Sequence, residues 1–169
     1  MIVLETERLR LRHASLDDAD FVLRLLNEPS FLQYIGDRGV RTLDDARRYI
    51  ADRFIDSYER NGFGLWIVEP KHSAVPLGIC GLVKRDTLPE PDIGFAFLPE
   101  FWSVGYAYES ALAVKQHALE VLRLPRLLAV TNPDNVRSIR IVERLGFASD
   151  RLIAWSGGGL EVRLFSLEA

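Results

Sequence analysis

Residues Asp92–Ala111 read D-I-G-F-A-F-L-P-E-F-W-S-V-G-Y-A-Y-E-S-A. Asp92–Leu98 is a mostly apolar run of strand length, P-E-F-W-S-V-G-Y-A interrupts it, and the spacing then predicts a long helix from about Gly105 to Arg123. A strand that feeds a helix through a short turn carrying Gly105 and Ala107 offers a definite chemistry. The first N–H groups of a helix lack internal partners, and the helix dipole favours an anion beside them. A glycine there lets a phosphate approach the main chain, so the turn is a candidate pyrophosphate cradle. The alternative is that Gly105 merely opens a helix. Two better-known phosphate loops are excluded, because neither G-x-x-x-x-G-K-S/T nor a G-x-G-x-x-G after the first strand occurs.

Upstream, Phe63–Val68 and Leu77–Val83 read as a hairpin around polar Lys71–Pro76. At the start of the chain, Ile2, Leu4, Leu9 and Leu11 interleave with Glu5, Arg8, Arg10 and Arg12, the alternation of a first strand. S-L-D-D from Ser15 and T-L-D-D from Thr42 are capping-box-like starts. The first opens a helix to about Asn27, ended near Pro29 by that proline's effect on Glu28; the second opens a helix to about Asn61, stopped by Gly62. Downstream, Arg126–Thr131 is a short buried strand, and N-P-D-N caps a helix over Asn135–Leu145 that Gly146 closes. Phe147–Trp155 and Leu160–Leu167 form a last hairpin around S-G-G-G at Ser156–Gly159. The order β-α-α-β-β-β-α-β-α-β-β predicts an α/β (α+β) layer of helices on a central sheet, one domain over residues 1–169.

Composition narrows the class. A chain of 169 residues suits one domain, and 48% hydrophobic with 27% charged residues excludes wholesale disorder. A net charge of −3 lacks the dense positive footprint that a general nucleic-acid binder needs. Cys80 has no second cysteine to pair with, and is read as a small core residue; His13, His72 and His117 lie far apart, so no metal centre is expected. No apolar run reaches the roughly 18 residues that span a bilayer, and M-I-V-L-E-T-E-R-L-R-L-R lacks the apolar core of a signal peptide. The expectation is a cytoplasmic protein without nucleic-acid or membrane partners. No Ser or Cys stands in a nucleophile-elbow string, which excludes a hydrolytic triad of that kind.

Four stretches together resemble a known family: T-E-R-L-R-L-R at Thr6–Arg12, D-I-G-F-A-F-L-P-E-F-W at Asp92–Trp102, G-Y-A-Y-E-S-A at Gly105–Ala111, and T-N-P-D-N-V-R-S-I-R-I-V-E-R-L-G-F at Thr131–Phe147. The chain is similar to GNAT N-acetyltransferases, and within them to the RimJ/RimL branch that acetylates ribosomal-protein amino termini. The resemblance implies a GNAT fold, a central mixed, mostly antiparallel sheet of about seven strands with helices on both faces. It implies acetyl-CoA as co-substrate, an amine acceptor that attacks the thioester directly, no metal, and room for a homodimer.

The family's phosphate turn has Gln or Arg, two free positions, Gly, one free position, then Gly or Ala. Here Trp102, Ser103, Val104, Gly105, Tyr106 and Ala107 occupy it. Gly105 and Ala107 match, Trp102 replaces the Gln or Arg, Ser103 stands where this branch has glycine, and Val104 where it has Lys or Gln. The resemblance also assigns the strand edge around Phe97 and Leu98 to the amides of pantetheine, a ligand adding itself as a strand. Asn135 and Ser138 share the inward face of their helix with Val142 and Leu145. Asn135 is then a partner of the pantetheine arm or a plain helix cap, two roles that can coexist. Ser138 is either the acid beside the leaving thiolate or a small residue permitting close packing. The tyrosine that many members use as general acid is Val142 here.

Acetyl transfer needs a neutral amine, an oxyanion donor and a proton for the leaving thiolate. An α-amine with a pKa near 7.8 is far easier to deprotonate than a lysine at about 10.4, by roughly 3.5 kcal/mol. That favours an N-terminal acceptor. Glu90 and Asp92 are candidate bases relaying the amine proton through water, or else solvated carboxylates after a proline turn. Arg137, Arg140 and Arg144 form a solvated helix face from which one could reach the cofactor's 3′-phosphate. Phe31, Tyr34, Phe63 and Trp66 line an acceptor pocket or pack the core. Two other readings stand beside peptide acetylation: a small-molecule amine (antibiotic or polyamine) acetyltransferase, and a non-catalytic acyl-CoA-sensing domain.

Overall fold

The computed structural model describes residues 1–155 and 160–169; the S-G-G-G turn lies outside the described residues. Eight strands form one sheet: β1 (Ile2–Glu5), β2 (Leu9–Arg12), β3 (Leu65–Pro70), β4 (Gly78–Val83), β5 (Asp92–Phe97), β6 (Arg126–Thr131), β7 (Ala148–Ala154) and β8 (Glu161–Glu168). Their spatial order is β1-β2-β3-β4-β5-β6-β8-β7, and every neighbouring pair is antiparallel except β5 and β6. The expectation of about seven strands is met, with the extra strand coming from the amino terminus. There the alternation belongs to two short strands, because the Thr6 hydroxyl accepts the Leu9 N–H at 3.0 Å and turns the chain back. A hairpin that keeps its alternation through the turn has the same pattern as one long strand.

The helices are α1 (Ala19–Leu26), α2 (Pro29–Tyr34), α3 (Leu43–Tyr49), α4 (Asp56–Asn61), α5 (Tyr106–Gln116) and α6 (Val136–Arg144). Ser15 and Thr42 both form full capping boxes, with Asp18 and Asp45 supplying the returning carboxylate. Pro29 both ends a helix and starts the next. It holds Glu28 extended, at ψ 137°, and then occupies the first position of α2, where its missing N–H has no partner to lose. The single helix expected up to Asn61 is α3, a π-helical segment Ile50–Ile55, and α4, with Gly62 left-handed at φ 76° as its cap. A second π segment, His117–Val121, finishes α5.

Helices cover both faces. Under α5 and α6, Trp66, Val68, Cys80, Leu82, Ile93, Leu127 and Ala129 meet Ala111, Val114, Ala118, Val142 and Leu145. On the other face, Ile67, Ile79 and Leu98 meet Val22, Leu25 and Leu26 of α1, Ala46 of α3, and Ile50 and Phe54. Tyr34 is half-buried, and Phe31, Phe63 and Trp66 pack in the core, 6%, 7% and 1% exposed. Their bulk is spent on joining sheet to helices.

Two glycines face each other across β4 and β5, and they differ sharply. A Cβ on Gly81 would lie 2.0 Å from the Gly64 carbonyl oxygen, whereas one on Gly94 would meet only Leu65 Cδ2 at 3.6 Å and Val83 Cγ2 at 3.9 Å. Gly81→Ala is expected to cost about 3 kcal/mol and Gly94→Ala to stay within about 0.5 kcal/mol of the parent, measured by urea unfolding.

Candidate active site

The parallel pair of β5 and β6 is registered at one position, Asp92 opposite Leu128, supported by the Leu128 N–H donating to the Pro91 carbonyl at 3.0 Å. On their outer sides the same strands pair along their length, β5 with β4 at six positions and β6 with β8 at six. The two strands therefore part beyond Asp92, and each presents an edge to the gap. Leu98 is not on that edge: its N–H donates to the Leu77 carbonyl and its own carbonyl accepts from Phe101, both at 3.0 Å. Alternation then turns the main-chain groups of Phe95 and Phe97 toward the gap. The Phe97 carbonyl is met by the indole N–H of Trp102 at 2.9 Å. Of the two residues expected at the edge, Phe97 keeps its N–H toward the gap while Trp102 occupies its carbonyl, and Leu98 is committed to the β4 side; Phe95 presents its main-chain groups to the gap as well.

The turn after β5 is unusual in its backbone. Pro99–Phe101 form a 3-10 turn, Ser103 is left-handed at φ 66°, and Gly105 is left-handed at φ 87°. Gly105 is the N-cap of α5 and supplies no side-chain cap, so the first N–H groups of α5 keep their donor capacity. Val104 is half exposed. The Arg137 guanidinium lies 4.6 Å over the Trp102 ring, and its Nη1 donates to the Ser103 hydroxyl at 3.3 Å. Arg137 therefore brings a positive charge to the turn from α6, and it makes no ion pair among the described residues. Helical periodicity alone puts Arg137 on a solvated face from which one arginine could reach a phosphate; its stacking partner, Trp102, stands 35 positions earlier in the sequence. Arg144 stacks over Tyr108 at 3.9 Å, and Arg140 is exposed.

Asn135 and Ser138 stand at the amino end of α6. The Asn135 Oδ1 accepts the Ser138 N–H at 3.3 Å, which is a helix cap and leaves the amide nitrogen of Asn135 to donate elsewhere. Ser138 is half-buried, and its hydroxyl has no protein partner among the described residues. Val142, one turn further on, is sealed in the core.

Both candidate bases lie at the joined end of β5 and β6, and neither is free. Asp92 is 1% exposed, and its oxygens accept from Arg85 Nε at 2.8 Å and Nη2 at 3.3 Å. Burial pushes its pKa above the ordinary carboxylate value against the pull of Arg85. Glu90 faces Arg126 at 3.6 Å, and Arg126 also reaches Glu168 at 2.9 Å. The two expected bases therefore stand at the apex of the gap facing arginines, Asp92 against Arg85 and Glu90 against Arg126.

On the face that carries α1–α4 there is a pocket of about 410 Å³, whose walls include Arg53, Phe54, Leu65, Val83, Lys84 and Arg85. Arg85 also lies 4.9 Å over the Trp155 ring, tying the loop before β5 to the end of β7. The Gly81–Gly94 pair adds no side chains to the sheet beside Leu65 and Val83. Among the described residues no group of three or more His, Cys, Asp or Glu side chains could hold a metal ion.

Comparisons with known proteins show the family of the chain and the likeness of its fold. Residues 8–148 match the family model described as an acetyltransferase (GNAT) domain. An uncharacterized Bacillus subtilis protein, YkkB, is 30% identical over 157 residues, spanning 89% of this chain and 87% of its own. The uncharacterized N-acetyltransferase YoaA of Bacillus subtilis is 27% identical over 154 residues, 89% and 85% respectively. Among solved structures, RimL, described as a ribosomal L7/L12 α-N-protein acetyltransferase in complex with coenzyme A, superposes with a TM-score of 0.85 at 15% identity, over 99% of this chain and 98% of its own.

The left-handed Ser103 has a direct consequence for stability. A non-glycine residue in that region carries roughly 1–2 kcal/mol of strain, and glycine loses somewhat less than 1 kcal/mol through its freer unfolded chain. Ser103→Gly is therefore expected to stabilise the protein by about 0.5 kcal/mol in urea unfolding, despite losing the hydroxyl that Arg137 contacts.

Proposed function

The chain belongs to the acetyltransferase (GNAT) family and is an N-acetyltransferase; we propose that it moves the acetyl group of acetyl-CoA to the α-amino group at the amino terminus of a peptide or protein. The observation that carries the reading is the parting of β5 and β6 beside the uncapped amino end of α5. The gap offers a strand edge at Phe95 and Phe97 to the amides of the pantetheine arm, and the turn Trp102–Ala107 offers main-chain donors and Arg137 to its phosphates. Asn135 contributes its free amide to the same arm. Acetyl-CoA supplies an activated acyl group when bound. The residues of the chain hold it, exclude water around it, and provide a proton at the leaving sulfur.

We assign that proton to Ser138, a half-buried residue whose hydroxyl has no partner among the described residues. Val142 cannot serve, being an apolar side chain shut in the core. The acceptor enters from the opposite face, through the pocket between the α3–α4 run and the loop that bears Arg85. With Glu90 and Asp92 engaged by arginines, the amine is expected to arrive neutral. An α-amine meets that demand at neutral pH and a lysine side chain does not, by roughly 3.5 kcal/mol. RimL is described as acetylating a protein α-amine, which supports the same acceptor class here.

The test is thiol release from acetyl-CoA in the presence of short peptides with a free or a blocked amino terminus, and of polyamines and aminoglycosides. The expected result is turnover with free-terminus peptides, with acetylation located at the α-nitrogen by mass spectrometry. Preference for the small amines would overturn the acceptor assignment, and tight acetyl-CoA binding without any turnover would identify a sensing domain. In the same assay Ser138→Ala is expected to lower kcat by about a hundredfold with acetyl-CoA affinity unchanged, the scale of a lost general acid. The pH profile gives an independent check. kcat/KM is expected to rise with pH through the acceptor's own ionisation near 7.8 and then level off, and Glu90→Gln is expected to leave that midpoint in place.

A further inference from the structure

The phosphate turn is gripped from the far end of the chain. Glu109, one turn into α5, accepts from three donors of the β1–β2 turn: the Thr6 hydroxyl at 2.5 Å, the Arg8 main-chain N–H at 3.0 Å and Arg8 Nε at 2.7 Å. The same Arg8 reaches past Glu109 and donates from Nη1 to the Val104 carbonyl at 2.9 Å, with its guanidinium 4.7 Å over the Tyr106 ring. It is packed closely enough that a Cβ on Gly105 would stand 3.2 Å from Nη2. One arginine thus touches Val104, Gly105 and Tyr106, the centre of the turn.

We infer that Thr6, Arg8 and Glu109 form a clasp through which the amino-terminal hairpin holds the phosphate turn in its ligand-binding shape, a role that rests on the acyl-CoA reading of that turn. The peptide unit is planar and trans, so its carbonyl and the following N–H point in opposite directions. Fixing the Val104 carbonyl on Arg8 therefore aims the Gly105 N–H away from the hairpin, onto the side where the free donors of α5 gather. The turn needs such a brace, because left-handed Ser103 is a conformation that persists only where its surroundings over-determine it. Arg8 acts by position and not by charge, since Glu109 already neutralises it at 2.7 Å. Arg137, with no ion pair among the described residues, is the cation left to meet a phosphate. Burial works against charge on Glu109, but the hydrogen bonds from Thr6 and Arg8 outweigh it and hold its carboxyl below the usual range, so the clasp is intact at neutral pH and loosens only in acid.

The discriminating probe is a pair of ligands that differ in their phosphates. Dissociation constants for coenzyme A and for pantetheine, which lacks the pyrophosphate and the nucleotide, are measured by calorimetry on the wild type, Arg8→Ala, Arg8→Lys and Glu109→Gln, with Tm recorded for each. The expected result is about tenfold weaker coenzyme A binding for Arg8→Ala and Glu109→Gln, the scale of one lost charge-assisted hydrogen bond. Pantetheine binding is expected to stay within twofold of wild type, and Arg8→Lys to recover part of the loss. Equal weakening toward both ligands would mean general damage and overturn the clasp, as would unchanged coenzyme A binding in Arg8→Ala. A wild type that binds both ligands alike would instead overturn the reading of the turn as a phosphate site, a separate failure visible before any variant is made.

Discussion

Two parallel strands that meet at one point govern this molecule. A strand edge carries donors and acceptors that must be satisfied, and in a closed sheet the neighbour satisfies them. Here β4 and β8 hold β5 and β6 firmly on their outer sides, while between them the ladder stops after Asp92 and Leu128. The sheet is in effect two halves hinged at an apex, and the apex is where the charged side chains collect. Asp92 with Arg85 ties the loop before β5 back onto β5, and Arg126 of β6, between Glu90 and Glu168, joins that loop to the second half. Breaking a buried pair by removing one partner is strongly destabilising, so such pairs set geometry more than they add net stability. Their value here is to fix where the strands begin to part.

The proposed acyl transfer turns on that parting. The core under α5 and α6 and the core under α1–α4 are separated by one thickness of backbone, and the gap is where the two sides communicate. The groups proposed to hold the cofactor, a helix amino end with Asn135, Ser138 and Arg137, converge on the α5–α6 side. The pocket by Arg53, Lys84 and Arg85 lies on the other side. With the two substrates proposed on opposite faces, the nucleotide is kept out of the acceptor's way.

Departures from the family turn acquire a meaning once the tertiary contacts are visible. Trp102 stands in place of a polar residue, yet its indole N–H closes the Phe97 carbonyl, and its ring seats Arg137. A positive group is therefore present at the turn, delivered by α6. The loss of glycine at Ser103 is compensated in a similar way: the backbone remains left-handed, held by Arg137 on one side and by the hairpin's Arg8 on the other. Both braces arise from residues that a sequence places on apparently solvated or alternating surfaces.

By itself the sequence determined the element types, both capping boxes, the glycine stops at Gly62 and Gly146, and the family, because each of these rests on neighbours within a few positions or on long ordered motifs. It also brought Asn135 and Ser138 onto one helix face, which a period of 3.6 residues dictates. Only the tertiary structure decided that the amino-terminal alternation is a hairpin, that Pro29 starts a helix as well as ending one, and that Leu98 belongs to β4's side of the strand. It alone decided that Glu90 and Asp92 are bound to arginines, and that Arg8 and Arg137 converge on one turn. The physical reason is range. Backbone preference and periodicity act between residues a turn apart, whereas an ion pair or a stacked guanidinium depends on which distant segments the folded sheet sets side by side.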